Sequence, residues 1–180
     1  MKTLAFVAGL LALATPALAQ TLPAPTAQTA PARWSGLPVA DVVARLTAAG
    51  LSVAAPQANG DRTYLLVDDG PVRWVVTLFS CTDGLCPDVQ FTAAFSGANA
   101  TPDIISRWNG ERRFVKSFYA APETEGAEGE AVAQYDVLLV AGAGANQLDD
   151  PIQVWRSLAI DLGRTVATPQ TGAAATPPAE

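Results

Sequence analysis

Histidine is absent from this 180-residue chain, and cysteine occurs only twice. Without histidine the chain lacks the commonest metal ligand and the usual general base at neutral pH. A Ser-His-Asp or Cys-His catalytic site is therefore impossible. Two thiols fall short of the roughly four ligands that a structural zinc site takes. Positive charge is scarce as well, with 11 Lys and Arg against 17 Asp and Glu. No Lys/Arg cluster interrupts that acidity, so nucleic acid and anionic lipid are poor partners. Past the N-terminus, no apolar run approaches the roughly 20 residues that span a bilayer. We expect no catalytic residues, no cofactor and no metal ligands.

The N-terminus sets the redox environment. Lys2 precedes an apolar run over residues 4–13, broken by Gly9, and Thr15-Pro16 then bends the chain. Ala17-Leu18-Ala19 supplies a small-x-small processing pattern. Together these predict a secretory signal peptide over residues 1–19, cut between Ala19 and Gln20. An uncleaved anchor would need a longer run, so no membrane attachment is expected after cleavage. The residue directly after the cut is Gln20 and not a cysteine, which argues against a lipoprotein. Loss of Lys2 leaves ten basic against seventeen acidic residues, a net charge of −7. The expected address is periplasmic or secreted. Residues 20–33 and 168–180 are rich in Pro, Ala and Thr. Neither can bury enough apolar surface to offset the entropy of ordering, so a disordered linker and a disordered tail are expected. Residues 34–167 remain, the size of one ordinary domain.

The two cysteines flank Thr82-Asp83-Gly84-Leu85. Folding residues 71–81 and 86–96 back on that loop as strands sets Cys81 opposite Cys86. The same register opposes Leu78 to Val89, Val76 to Phe91, Trp74 to Ala93 and Val72 to Phe95. Side chains alternate with period two, so these eight apolar residues share one face. Arg73, Thr77, Gln90, Thr92 and the cysteine pair fall on the other. A slip of one residue would oppose apolar to polar positions, so pattern and cysteines select the same register. Opposed Cβ atoms lie roughly 4.5–5.5 Å apart, close to bridging distance. The oxidising compartment lets a bond persist. A structural disulfide between Cys81 and Cys86 is expected over free thiols. A redox pair more typically has two intervening residues at a helix start.

Asp69-Gly70 predicts a two-residue hairpin turn that opposes Val67 to Val72 and Leu65 to Trp74. Asn59-Gly60 predicts another turn. Residues 51–55, 62–68, 71–81 and 86–96 therefore form an antiparallel meander whose apolar face needs a cover. Three helices supply it. Pro38 stands at the first position of one that carries Val39, Val42, Val43 and Leu46 and ends at Gly50. Thr101-Pro102-Asp103 opens a second, with Ile104, Ile105 and Trp108 on one side. Asp150 caps a third, with Pro151 and Gln153 behind it and a stripe of Ile152, Trp155, Leu158, Ala159 and Leu162. Strands over 113–120 and 132–141 lie between the last two helices, joined by the acidic loop 121–131. The order α-β-β-β-β-α-β-β-α is an α+β domain, a mostly antiparallel sheet with helices packed on one face.

The ordered set CTDGLC, IISRWNGERRF and YDVLLVAGAG, followed by a helix with Trp155, resembles the YbjN-domain family. The specific part is Trp108-Asn109 followed by Arg113-Phe114, with the cysteine pair common in exported members. The resemblance covers about residues 36–162. It implies a fold similar to that of type III secretion chaperones, a label of sensory transduction regulator, and neither catalytic residues nor a cofactor. The signal peptide sets this chain apart from cytoplasmic members.

Most of the polar candidates have structural duties in prospect. Three of the four tryptophans fall on core faces, while Trp34 stands at the linker boundary. Asn109 is expected to cap the second helix, with Gly110 behind it in the left-handed conformation. Arg112 and Arg113 lie on a solvated edge or pair with a carboxylate. Trp34, Asn109, Arg112 and Arg113 are nevertheless the candidate partner surface. Loop 121–131 lacks the ordered oxygen ligands of a calcium site. Asp68-Asp69 and Asp149-Asp150 are accounted for by turn and cap roles. The segment AGAGAN lacks the Lys-Ser/Thr of a phosphate loop and is expected to be a flexible connection. The function expected is an exported, non-catalytic binding or chaperone-like accessory domain that engages a protein or peptide. The alternatives are a carboxylate-based envelope hydrolase, with two carboxyl groups roughly 5–9.5 Å apart, and a structural homodimer without a ligand.

Overall fold

A computed structural model of the chain describes residues 34–124 and 126–167. The signal peptide with its Ala19/Gln20 junction, the linker over 20–33 and the tail over 168–180 fall outside the described residues. The elements run in chain order as β1 (Leu37–Pro38), α1 (Val39–Ala48), β2 (Ser52–Val53), β3 (Gln57–Asn59), β4 (Arg62–Asp68), β5 (Arg73–Phe79) and β6 (Leu85–Cys86). There follow β7 (Asp88–Ser96), α2 (Pro102–Glu111), β8 (Lys116–Ala120), β9 (Glu130–Val137), a short 3₁₀ turn (Ala145–Leu148) and α3 (Asp149–Ala167). The main sheet has the order β2-β4-β5-β7-β9-β8, with β3 also beside β4, and β1 pairs with β6 in a separate two-stranded sheet. Every ladder is antiparallel. The α+β class holds.

The β5–β7 register is the one that the hydrophobic pattern selects: Val76 faces Phe91 and Leu78 faces Val89. The ladder ends at Val75 opposite Thr92, so the two outermost expected pairs lie beyond it. The hairpin between β4 and β5 differs from expectation by a shift of two in pairing. Val67 faces Trp74 and Leu65 faces Val76. The turn is centred on Gly70-Pro71 instead of Asp69-Gly70, closed by the Asp69 N–H to the Val72 carbonyl at 3.0 Å. Gly70 has φ +75, a value open to glycine at the first turn position. Pro71, with φ fixed near −65°, suits the second. An even shift keeps every side chain on its face, so the core is as expected.

Cys81 and Cys86 are disulfide-bonded with Cα atoms 4.2 Å apart. The cysteines do not extend the hairpin strands, however. Ser80 has φ +54, which breaks β5 away from the strand direction. Cys86, assigned by parity to the polar face, is fully buried. The reason is β1: Leu37 pairs with Cys86 and Pro38 with Leu85, and the Val39 N–H donates to the Gly84 carbonyl at 3.0 Å. At Gly36 an added Cβ would come within 2.2 Å of the Cys86 backbone, so only glycine allows the approach. The same pairing holds Pro38 extended, at φ −61 and ψ 134, as the N-cap of α1 instead of its first helical residue.

The inner face of the sheet is covered by the helices. Trp155 of α3 is fully buried, its ring centroid 5.7 Å from Trp74 and 5.9 Å from Phe91. Trp74 and Phe91 meet edge-on at 5.1 Å, the arrangement that aromatic quadrupoles favour. The opposite face carries exposed Leu66 and Phe118. α3 begins at Asp149, so Asp150 lies within the helix and is not its cap. The 3₁₀ turn runs directly into the helix and occupies the place of an N-cap. β9 ends at Val137, four residues before the expected strand end.

Two of the arginine–aspartate pairs that tie α3 down reach α1 and the β4–β5 turn. Arg156 donates through Nε and Nη2 to both oxygens of Asp69, at 2.7 and 2.6 Å, and reaches the Ala49 carbonyl at 3.4 Å. Arg45 of α1 donates through Nε and Nη2 to both oxygens of Asp149. Asp69 and Asp149 thus serve as anchors, while Asp68 keeps the expected turn duty by accepting from the Gly70 N–H at 2.9 Å.

Since the disulfide closes the loop on which β1 rests, its loss acts in two places. Replacing both cysteines with serine is expected to lower unfolding free energy by about 2 kcal/mol, the chain-entropy value for so short a loop. It should also raise hydrogen exchange at the Val39 amide more than at Val76. Denaturant midpoints and exchange spectra check this. Unchanged Val39 exchange would refute the coupling.

Candidate partner-binding site

α2 starts where its sequence directs. Thr101 Oγ1 accepts from the Ile104 N–H at 3.4 Å and Pro102 occupies the first turn. Ile104, Ile105 and Trp108 are buried, which turns Arg112 toward α3. Trp108 Nε1 donates to Asp161 Oδ2 at 2.8 Å, and Arg112 Nε donates to the same oxygen at 2.9 Å. Arg112 Nη1 also lies 3.4 Å from Glu111 Oε2. Burial pushes the Asp161 carboxyl up, but the hydrogen bonds from Arg112 and Trp108 and the charges of Arg112 and Arg164 outweigh it. The group is held below its ordinary value of 3.8.

Asn109 does not cap α2. The helix runs past it to Glu111. Its side chain instead donates to the Ser117 carbonyl at 2.7 Å and accepts from the Ser117 N–H at 2.8 Å. β8 ends the strand order, so Asn109 occupies hydrogen-bonding positions on the open edge of the sheet, where an unpaired strand invites foreign pairing. The end of α2 is satisfied by Lys116, whose Nζ lies 3.1 Å from the Asn109 and Arg112 carbonyls. Lys so placed also complements the helix dipole.

Between α2 and β8 the chain turns through Phe114 at φ +68. A left-handed backbone costs a bulky residue about 1–2 kcal/mol, and here it holds the ring outward, 58% exposed. The Arg113 guanidinium lies over that ring, 5.1 Å from the centroid. Arg112, Arg113 and Phe114 form one side of an open groove of about 550 Å³, and Val154, Ser157 and Leu158 of α3 form the other. The antiparallel β8–β9 pairing brings the connection after β9 to the same end of the sheet. There Leu138 is 93% and Val140 65% exposed. The Gln147 side chain fixes that connection, accepting from the Val140 N–H at 2.7 Å and donating to the Ala143 and Gly144 carbonyls. The flexible link expected of AGAGAN is therefore a braced loop. Of the five large apolar side chains exposed among the described residues, three, Phe114, Leu138 and Val140, lie at this one end.

Of the four residues proposed from sequence, Arg112 and Arg113 line the groove. Asn109 serves the β8 edge, and Trp34 is half-buried against the core. Phe114 and the wall of α3 are additions. The Arg-Phe neighbours gave no sign of a left-handed backbone, and Asp161 gave none of its pairing 49 residues away. Among the described residues no group of three or more Cys, Asp or Glu is placed to hold a metal ion.

Since the Asp161 carboxyl is lowered in the fold, its contribution is present above pH 3.8 and is lost as pH falls through the lower folded value. Asp161→Asn should cost about 1 kcal/mol at neutral pH, since the side chain is over a third exposed. The gap between variant and wild type should close in strong acid. Urea midpoints at pH 7 and at about pH 2 test this, and a constant gap would refute it.

Comparison with known proteins gives a family and little detail. No curated protein matches the chain. A solved structure described as "Crystal structure of YbjN, a putative transcription regulator from E. coli" is similar at 13% identity with a TM-score of 0.43. The match covers 72% of this chain and 89% of that one. The family pattern YbjN, described as "Putative bacterial sensory transduction regulator", matches residues 38–167. The match spans the domain from the start of α1 to the end of α3, and the chain belongs to the YbjN family.

Proposed function

We propose that the mature protein is an exported, non-catalytic binding domain of the bacterial envelope that engages a protein or peptide partner in a chaperone-like accessory role. The groove bounded by Arg113, Phe114 and the Val154–Leu158 stretch of α3 carries the proposal. An exposed aromatic held out by a strained backbone, beside an exposed apolar loop, has the character of a contact surface. Carboxylate chemistry is less well served. A general acid needs a carboxyl raised toward neutrality. Asp68 and Asp161 are both lowered, the first by the Gly70 N–H and Arg73, the second by Arg112 and Trp108 against the opposing effect of burial. The absence of histidine removes the commonest alternative base. The family description of a regulator is compatible with partner binding. A role on nucleic acid suits a chain of net charge −6 poorly. The signal-peptide pattern supports the envelope location.

The test is affinity isolation from the native periplasm after mild crosslinking, using wild type and Phe114→Asn. Asparagine tolerates the left-handed backbone, so the ring is lost without refolding the turn. One partner near stoichiometry is expected. Its recovery should fall at least about tenfold in the variant, equivalent to roughly 1.4 kcal/mol. Equal recovery by both proteins would remove the groove from the proposal. Recovery of self-crosslinks alone would favour the homodimer.

A further inference from the structure

The charges around the groove point to what enters it. Arg45, Arg73, Arg112 and Arg156 each bind a carboxylate within the chain. Arg113 has no carboxylate partner among the described residues, and its guanidinium lies over the Phe114 ring. Arginine stacked on an aromatic face keeps its in-plane N–H groups open, and their geometry matches a carboxylate. The three charged residues that line the groove are Glu111, Arg112 and Arg113, a local sum of +1 in a chain of −6. Glu111 is already beside Arg112, and Arg112 is committed to Asp161. The remaining positive charge is that of Arg113.

The rest of the lining is apolar or neutral: Phe114 on one side, Val154 and Leu158 on the other, with Gln153 and Ser157 between. A concave surface of this kind receives a side chain; it does not insert into a bilayer. It is also open, so a chain can continue past it in both directions. We infer that the groove takes a segment of another protein that places an apolar side chain between Phe114 and Leu158 and a nearby Asp or Glu on Arg113. The inference rests on the binding-domain reading of the preceding section and supplies the chemistry of the partner. Affinity comes from burial of the apolar side chain. Selection comes from the carboxylate, because a basic residue there would face Arg113 and be rejected.

A display library of random linear peptides, selected on the full mature chain, tests this. Peptides enriched on wild type are expected to share an aromatic or large aliphatic residue within a few positions of Asp or Glu. The best of these, made synthetically, should bind Arg113→Glu at least about tenfold more weakly. Changing the acidic residue of that peptide to Lys should restore binding to Arg113→Glu while weakening binding to wild type. Arg113 is exposed and has no partner carboxylate among the described residues, so the substitution leaves the fold in place, and the rescue by Lys separates recognition from any loss of structure. Enriched peptides with no acidic preference, or no rescue, would overturn the inference and leave the binding domain standing. Enrichment confined to peptides whose only carboxylate is the chain end would overturn the side-chain source. No enrichment at all would overturn the inference together with the reading beneath it.

Discussion

The seating of Trp155 on the Trp74–Phe91 pair is the contact on which the rest of the domain depends. It joins the last helix to the two central strands, β5 and β7, and all three rings are almost wholly buried. Removing a buried tryptophan side chain costs about 3–5 kcal/mol, against about 2 kcal/mol for the short disulfide loop. Core packing therefore outweighs the covalent clamp. Among the described residues the indole N–H groups of Trp74 and Trp155 have no hydrogen-bond partner. The contact is held by area and ring geometry.

Once α3 is seated, its polar face does the positioning. Arg156 near the middle of the helix holds the β4–β5 turn through Asp69, whose side chain is 6% exposed. Leaving that carboxylate without its arginine would cost about 1–3 kcal/mol, the penalty of an unsatisfied and mostly buried acceptor. One and a half turns further on, Asp161 holds α2 through Trp108 and Arg112. Asn109 then fixes α2 to the open edge of β8. The turn at Phe114 is the place where a helix fixed to α3 meets a strand fixed to β9, and a single left-handed residue bridges the two directions.

The legibility of the sequence follows the range of the interactions. The β5–β7 register was readable because alternation over two strands and two cysteines agreed on it. The turn at Gly70-Pro71 is one position from the Asp69-Gly70 that the sequence suggests, since Asp-Gly and Gly-Pro are both good turn pairs and an even shift leaves the hydrophobic pattern unchanged. β1, β3 and β6 have two or three residues each, too few to show a period. Cys86 looked polar-facing because β1, which buries it, was invisible. Asn-Gly favours a local helix cap, and the sequence alone suggests that role for Asn109. Its true partner is on a strand eight residues on. For the same reason Asp161 looked like an ordinary mid-helix carboxylate. Of the candidate site, the Arg112-Arg113 pair was readable as charge on an edge, but the left-handed Phe114 beside it was not.

In the proposed reading, stability and recognition are separated in this domain by what individual arginines touch. Arg45, Arg112 and Arg156 link elements far apart in sequence, and each satisfies a carboxylate that folding brings within reach. Arg73 closes its own hairpin on Asp68. In a chain with more acidic than basic groups, a guanidinium would be expected to find a carboxylate wherever geometry allows. Arg113, next to the left-handed turn at Phe114, rests on an aromatic face instead. The same turn that reconciles α2 with β8 therefore exposes a ring and a cation together, next to an apolar stretch of the helix that the core holds most firmly. A contact surface built on α3 is rigid, so a partner loses little to ordering it.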